Sequence, residues 1–383
     1  MGNNKTEAEL KHYEALRKQD SFQYSEAEGC YYVVKYSDVD TLLKSDNITV
    51  DFPFRASRQL FGKTILDSDD MGSAAIRKNL LPFFTRKAID HYRELIIRPC
   101  IKSILSESIG ARLEEVDFNL SVSQRIPTQI IISIFGIDLK YEEFIYSKLE
   151  KLVLYLDHPS NSFQEAMEAK KELLAFLDKC LLNEIEVNKN GFLSSVSREP
   201  FHNKEEMLST CLMLLVAGMA TTIASLNSLV LYVYEYRDYL KENSGDVEKM
   251  KLFVNEVIRM QPAVRETIRF VKDDFEYKDV SFVEHDLLKI ILASANRDEE
   301  KFTDPNEFEY QKKRSLNCSF GKGKHFCIGS DLAIEELVIF IQEFMIFTDY
   351  YAVKIVESNE PPGTVIRMFK KIQLKLQADQ PAI

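Results

Sequence analysis

No Cys-x-x-Cys pair occurs in this chain of 383 residues; its six cysteines (Cys30, Cys100, Cys180, Cys211, Cys318 and Cys327) are scattered along it. That spread excludes a small disulfide framework and suits a reducing cytosol. No basic tract offsets the formal charge of −11, which argues against a nucleic-acid binder. Phosphate loops, dinucleotide fingerprints, flavin motifs, iron–sulfur motifs and internal repeats are all missing, so the chain carries no obvious site for a nucleotide or an electron-transfer cofactor of those kinds. The opening Met1-Gly2-Asn3-Asn4-Lys5-Thr6 lacks the apolar core of a signal peptide or membrane anchor. What is present is ordinary for a globular protein: 45% hydrophobic and 28% charged residues, over a length that can bury a substantial core.

Periodicity locates the elements. Glu7 to Lys18 reads as a polar helix, Cys30 to Tyr36 as a strand, and Ser37 as the N-cap of a short helix through Lys44. Ile48 to Leu66 shows little periodicity and is expected to be a long loop of the kind that covers a pocket. Ala74 to Phe84 follows as a helix with Arg77 and Lys78 on one side. From Ala88 to about Asn188 apolar residues recur at helical spacing, with few glycines or prolines and turn signals at His158–Asn161 and Asn188–Gly191. Met207 to about Tyr236 is the longest apolar stretch, ~45 Å if helical throughout. Ser209, Thr221, Thr222, Ser225, Asn227 and Ser228 and the absence of a basic flank favour a helix buried through a domain over a membrane span. After Pro262 the chain turns β at Glu266–Val271, Phe275–Val283 and Leu287–Ser294. Tyr350–Val356 and Val365–Leu376 read as closing strands around a turn tip at Gly363-Thr364.

The stretch with the most chemistry is Phe320-Gly321-Lys322-Gly323-Lys324-His325-Phe326-Cys327-Ile328-Gly329. A cysteine lies in a glycine-framed loop, and an amphipathic helix starts directly after it. Unpaired N–H groups at that helix start favour thiolate over thiol. Gly321 and Gly323 permit a turn that a Cβ resists, and Gly329 allows close approach of something flat. A lone thiolate suits a single axial ligand to iron better than zinc, which takes four protein ligands. Within the long apolar stretch, Ala217-Gly218-Met219-Ala220-Thr221-Thr222 puts small residues where a planar group can lie against the backbone, beside a threonine hydroxyl able to pass protons. Glu256 and Arg259 form an i, i+3 pair, which in isolation is worth roughly 0.2–0.5 kcal/mol.

The loop pattern F-G-x-G-x-H-x-C-x-G resembles the haem-binding loop of the cytochrome P-450 family, and four further segments match that family in order between Asp69 and Leu337. Cys327 is then the iron's axial ligand, and Phe320, Gly321, Gly323 and Gly329 frame it. The segment at Arg77 resembles the family's H-x-x-x-R, whose two side chains meet a haem propionate; Ser73 stands in the histidine's place. Arg269 and His325 match further propionate contacts. The family's A-G-x-[acid]-T-T is matched by Ala217, Gly218, Thr221 and Thr222, with Ala220 replacing the acid of the proton-relaying pair. Either water or a polar substrate group completes that relay, or the reaction needs no standard proton delivery. Glu256 and Arg259 resemble the family's buried structural E-x-x-R, and Asn296-Arg297-Asp298 with Phe302–Phe308 match the segment that wraps back toward the loop. Met219, Val264 and Arg265 fall at the substrate end of the pocket; for Arg265 the choices are an anionic substrate or an ion pair with Glu266 or another neighbour.

This resemblance implies a mainly α fold with a smaller β portion (α+β), a single haem-enclosing domain over residues 1–383. Its helix-rich core is expected at about 69–262 and 326–347 and its β-rich portions at about 30–50, 266–295 and 350–377. It further implies heme b as cofactor, a small-molecule substrate and a separate ferredoxin or flavodoxin as electron donor. A cytoplasmic protein with no nucleic-acid or membrane partner completes the expectation. Hydroxylation is the default reaction, in secondary metabolism by analogy with the soluble bacterial members. The rivals are an atypical peroxide-using, desaturating or coupling enzyme, motivated by Ala220, and a haem protein without turnover.

Overall fold

The computed structural model describes residues 4–19, 22–109, 115–157, 159–314, 316–348, 351–359, 365–366, 369 and 371–378. The N-terminal part holds α1 (Asn4–Arg17), the hairpin β1 (Phe22–Ser25) and β2 (Cys30–Val33), α2 (Tyr36–Leu42), β3 (Ile48–Thr49), α3 (Ala56–Phe61) and α4 (Met71–Leu80). The helical half runs through α5 (Arg86–Tyr92), a π turn at Arg93–Ile97, α6 (Arg98–Ser108), β4 (Glu115–Asp117) and α7 (Arg125–Phe135). It continues with α8 (Glu142–Asp157), α9 (Pro159–Leu181), α10 (Phe192–Ser195), α11 (Lys204–Glu235), α12 (Arg237–Asn243) and α13 (Val247–Met260). Then come β5 (Thr267–Val271), β6 (Phe275–Tyr277), β7 (Val280–Phe282), β8 (Leu287–Ile290), α14 (Leu292–Ala295), α15 (Ser330–Thr348), β9 (Tyr351–Asn359) and β10 (Lys371–Ala378).

Helix α11 organises this arrangement. It starts on an N-cap: the Asn203 side chain accepts the Glu206 N–H at 2.8 Å, and the Glu206 carboxylate reaches back past the cap to accept the His202 N–H at 2.7 Å. Its first half, through Ala224, belongs to an apolar core shared with α3, α7, α8 and α9. Its second half, from Leu226, belongs to another core shared with α6, α7, α13 and α15. Helix α7 contributes to both cores as well, but α11 runs the length of the two. It is also the one described helix long and apolar enough to cross a membrane, and most of it is buried inside the protein.

The main sheet has the order β1-β2-β8-β5-β3, with β2 and β8 parallel and the other pairs antiparallel. It packs beneath a third apolar cluster with α2 and α14. A three-stranded sheet, β4-β10-β9, lies against the second core.

Several expectations change in detail. Ser37 does not cap α2: the cap position is Lys35, with no side-chain bond, and the Tyr36 N–H is taken instead by the Asp298 carboxylate at 2.6 Å. The carboxylate comes from a segment far along the chain, which local pattern cannot reveal. Ile48–Leu66 contains β3 and α3, elements of two and six residues that are too short to show a period. Phe275–Val283 is a two-stranded hairpin whose turn puts Lys278 at φ 53°, and the strand expected to Ser294 stops at Ile290 before α14. Strand β1 is an element the sequence did not announce. The turn tip Gly363-Thr364 lies outside the described residues.

Candidate active site

The cysteine loop is closed by its own backbone. Gly321 N–H donates to the Cys318 carbonyl (2.9 Å), Phe326 N–H to Gly323 (3.1 Å) and Cys327 N–H to Phe320 (2.9 Å). Gly321 and Gly323 sit at φ +70° and +65°, a region that disfavours any Cβ, and a Cβ on Gly323 would lie 2.4 Å from the Leu43 carbonyl oxygen. Position 323 thus seats the loop on the end of α2, while 321 makes the turn. Gly329 differs: a Cβ there would meet nothing nearer than a Phe84 ring carbon at 3.9 Å, so its missing side chain leaves open room beside the sulfur.

Cys327 is solvent-accessible. Yet burial raises its thiol pKa, opposed by the Gly329 N–H and the Arg77 guanidinium. Both statements hold for a sulfur on the wall of a narrow slot, reachable by solvent but surrounded by protein. The helix N-terminus alone therefore does not make a thiolate here.

Helix α11 supplies the second element of the site. Along a helix otherwise buried from Met207 to Val230, Ala217 is exposed and Gly218, Thr221 and Ser225 are half-buried. Their spacing puts them on one face. This stripe opens where the two cores part, and the loop's own neighbours join both cores, Ile328 the first and Phe320 the second. Hydroxyls on it bond back to their own helix: Thr221 to the Ala217 carbonyl (2.8 Å) and Ser225 to the Thr221 carbonyl (2.9 Å).

Basic side chains gather near the loop. Arg77 donates to the Phe326 carbonyl, one residue before the cysteine. Arg269 is buried beside the loop's Asp69 partner, and His325 Nε2 lies 2.7 Å from Asp69 Oδ1. Burial works against the Asp69 carboxylate, but bonds from His325, Thr49 and the Val50 N–H outweigh it and hold the group well below the usual carboxylate range.

An accessible sulfur and a small-residue stripe, tied to the same two cores and with cations near the loop, match what the family comparison finds: the cytochrome P-450 family model covers residues 121–375. The chain belongs to the cytochrome P-450 family. Cytochrome P-450 119 of Sulfolobus acidocaldarius is 26% identical over 342 residues, covering 88% of this chain and 86% of that protein. Among solved structures, P-450BioI in complex with an acyl carrier protein ligated to hexadec-9Z-enoic acid superposes with a TM-score of 0.88 at 18% identity, covering 96% and 98% of the two chains. The cytochrome P-450 PksS of the Bacillus subtilis bacillaene polyketide synthase gives 0.86 at 20%, covering 98% of each. Cytochromes P-450 bind heme b, and this chain is a monooxygenase of that family. The residues present fit the group: one sulfur donor, a wall of small side chains for a flat macrocycle, and cations for its carboxylates.

Other residues named from the sequence fall as follows. Gly218 serves helix packing, since a Cβ there would come within 3.0 Å of Ile131 on α7. Thr222 is buried and donates to the Gly218 carbonyl at 3.0 Å, off the exposed stripe. Met219 and Ala220 are each 1% exposed and sit in the first core. A carboxylate at 220 would therefore be desolvated unless it found a partner. Val264 bridges to Ile366, and Arg265 is engaged by Glu9 of α1, which leaves it an ion-pairing residue and not one offered to a substrate.

Glu256 and Arg259 are buried and doubly bonded (2.8 Å each). Arg259 also donates to the carbonyls of Asn296 and Pro305 (2.7 Å each), and Glu256 accepts the Glu309 N–H at 2.9 Å. The network clasps the 296–309 segment behind the cysteine loop. Sequence reasoning missed Asp69 and Ser225. The Asp69-Asp70 pair heading α4 was a visible signal, since Asp70 caps that helix by accepting the Ser73 N–H at 2.7 Å. A separate cleft of about 910 Å³, lined by Leu95, Cys100, Gln129, Asp138 and Asn188, shares no residue with this site.

Proposed function

We propose that this chain hydroxylates, or otherwise oxidises, a small and largely apolar organic substrate. Cys327 would hold the haem iron, and a separate ferredoxin or flavodoxin supplies the electrons. The observation that carries the reading is the accessible Cys327 sulfur, whose loop neighbours Phe320 and Ile328 pack into the same two cores that share α11 and its open stripe. A haem held through a cysteine thiolate supplies dioxygen activation, the sulfur's electron density favouring O–O cleavage. The protein's own part is to position and to deliver protons. Arg77 and Arg269 would hold the cofactor's carboxylates, while His325 is turned to Asp69. Thr221 exchanges its bond to the Ala217 carbonyl for one into the slot, and so hands on a proton. With alanine at 220, that proton reaches Thr221 from water or from a polar group of the substrate.

The absence of a flavin or iron–sulfur motif supports an external electron donor, and the free cysteines support a cytoplasmic setting. The acyl and polyketide connections of the two structural neighbours support a long-chain or polyketide-like molecule, such as a secondary-metabolite intermediate. One observation favours a second reading: Ala220 removes the usual acid, which suits a peroxide-using, desaturating or coupling enzyme. Product analysis decides between them. Turnover with NAD(P)H and redox partners supports monooxygenation; turnover with hydrogen peroxide alone supports the second.

A further inference from the structure

One end of the slot holds two buried guanidiniums, Arg55 and Arg269, near two aspartates, and only one of the two makes a direct ion pair. Arg269, 8% exposed, spends Nη1 on two uncharged acceptors, the Thr267 hydroxyl (3.0 Å) and the Ile268 carbonyl (2.8 Å). It has no ion-pair partner among the described residues. Burial and the nearby Arg55 guanidinium press its pKa down to about 9 against the pull of Asp69 and Asp67.

Arg55 is equally buried. It occupies the cap position of α3, where Nη1 donates to the Val50 and Leu66 carbonyls (3.3 Å each) and lies 3.2 Å from Asp67 Oδ1. Its segment is laid against β5, the strand that carries Arg269. Thr49 pairs with Phe270, and Phe52 stacks on the same ring with centroids 3.7 Å apart. Asp69 is engaged through both oxygens, whereas Asp67 bonds through Oδ1 alone and its Oδ2 is buried without a hydrogen bond. Asp69 accepts from Thr49 (2.6 Å) and Val50 N–H (3.0 Å) and contacts His325 (2.7 Å), and Asp67 accepts from Ser57 (2.6 Å) besides facing Arg55. Arg55 faces Asp67 directly, so Arg269 is the buried guanidinium without a carboxylate at bonding distance, and a further anion near the pair would offset its desolvation. The donor set of this site meanwhile has gaps: serine occupies position 73, and His325 Nε2 is committed to Asp69.

We propose that Arg55, held in place by Asp67, binds a haem carboxylate alongside Arg269, filling the place left by Ser73 and the engaged His325. The inference rests on the family's cofactor and deepens the reading of this same site.

The test uses full-length protein reconstituted with heme b: wild type, Arg55→Gln, Arg55→Lys, Asp67→Asn and Arg269→Gln. Three quantities are read: haem transfer to apomyoglobin, the reduction midpoint potential and thermal unfolding of the haem-free protein. Arg55→Gln is expected to release haem about tenfold faster, the effect of losing one charge-assisted bond. Its potential moves negative, because a positive charge that stabilised the reduced form is gone. Arg55→Lys keeps most of both properties. Asp67→Asn moves the potential positive, the opposite direction, which mere loosening of the loop would not produce. The proposal is overturned if Arg55→Gln leaves haem release and potential unchanged while Arg269→Gln alters them; the family reading then still stands. It is equally overturned if Arg55→Gln and Asp67→Asn shift the potential the same way with matching losses of haem-free stability.

Discussion

The two walls of the slot are built in opposite ways. On the cysteine side, almost every residue is tied to something that cannot move: Cys327 N–H to Phe320, Gly321 N–H to Cys318, the Phe326 carbonyl to Arg77, and behind them the buried Glu256–Arg259 network. On the α11 side, apolar packing grips both ends, while in the middle the Thr221, Thr222 and Ser225 hydroxyls bond back to their own helix. A metal ligand must be aimed, and hydrogen bonds with few alternatives aim it. Protons must move, and hydroxyls holding local, exchangeable bonds allow it. Rigidity and adaptability are assigned to different walls of one cavity.

The contrast breaks most completely at its anchor. Cys327→Ser is expected to abolish the strongly red-shifted Soret band of the reduced carbonyl adduct, read in a difference spectrum. Retention of that band would place the sulfur ligand elsewhere. Glu256→Ala strips a buried guanidinium of its partner and is expected to cost about 3–5 kcal/mol by chemical denaturation. A loss of only a few tenths would mean that the cysteine wall does not depend on its network.

Thr221→Ala tests the other wall. Turnover should fall on the order of 10²-fold while unfolding changes little, since its hydroxyl is bonded only within its helix. Equal losses of rate and stability would make the hydroxyl structural.

Acid sharpens the comparison further. The Asp69 carboxyl titrates lower in the folded protein than in the unfolded chain, so its stabilisation is complete above the unfolded value of about 3.9 and disappears as pH falls through the folded value. Asp69→Asn should therefore be less stable than wild type at pH 6, with the gap closing toward pH 2 in urea titrations. A gap that is constant with pH would show that Asp69 acts through shape alone. The smallest effect belongs to Gly218→Ala. Helix propensity gains about 1 kcal/mol, and crowding of the flexible Ile131 side chain costs a similar amount. A net change within about 1 kcal/mol is expected; a much larger loss would show the α7–α11 contact to be unyielding.

The cysteine loop was legible because its chemistry is contiguous, and α11 because thirty-odd residues of apolar sequence leave little choice. Glu256 and Arg259 were legible as a pair, since i, i+3 neighbours meet on any helix. Contacts that join distant segments were not. His325 finds Asp69 across 256 positions, Asp298 caps a helix that begins 262 positions earlier, and Glu9 claims Arg265 across 256. Nothing local distinguishes these partners from other acids in the chain. Motif matching also treated Gly218, Met219 and Thr221 as one group facing one target. Helix geometry keeps Thr221 and Gly218 on the open stripe, Gly218 at its edge against α7, and sends Met219 into the core.

Because α11 is a member of both apolar cores, neither can melt and leave the other intact. Pulling its first half out of the α8–α9 side strands the second half among α6, α13 and α15 without its central strut. Even before any cofactor enters, the folded chain should behave as one cooperative body that is lost in a single transition, and not as two halves that come apart in turn.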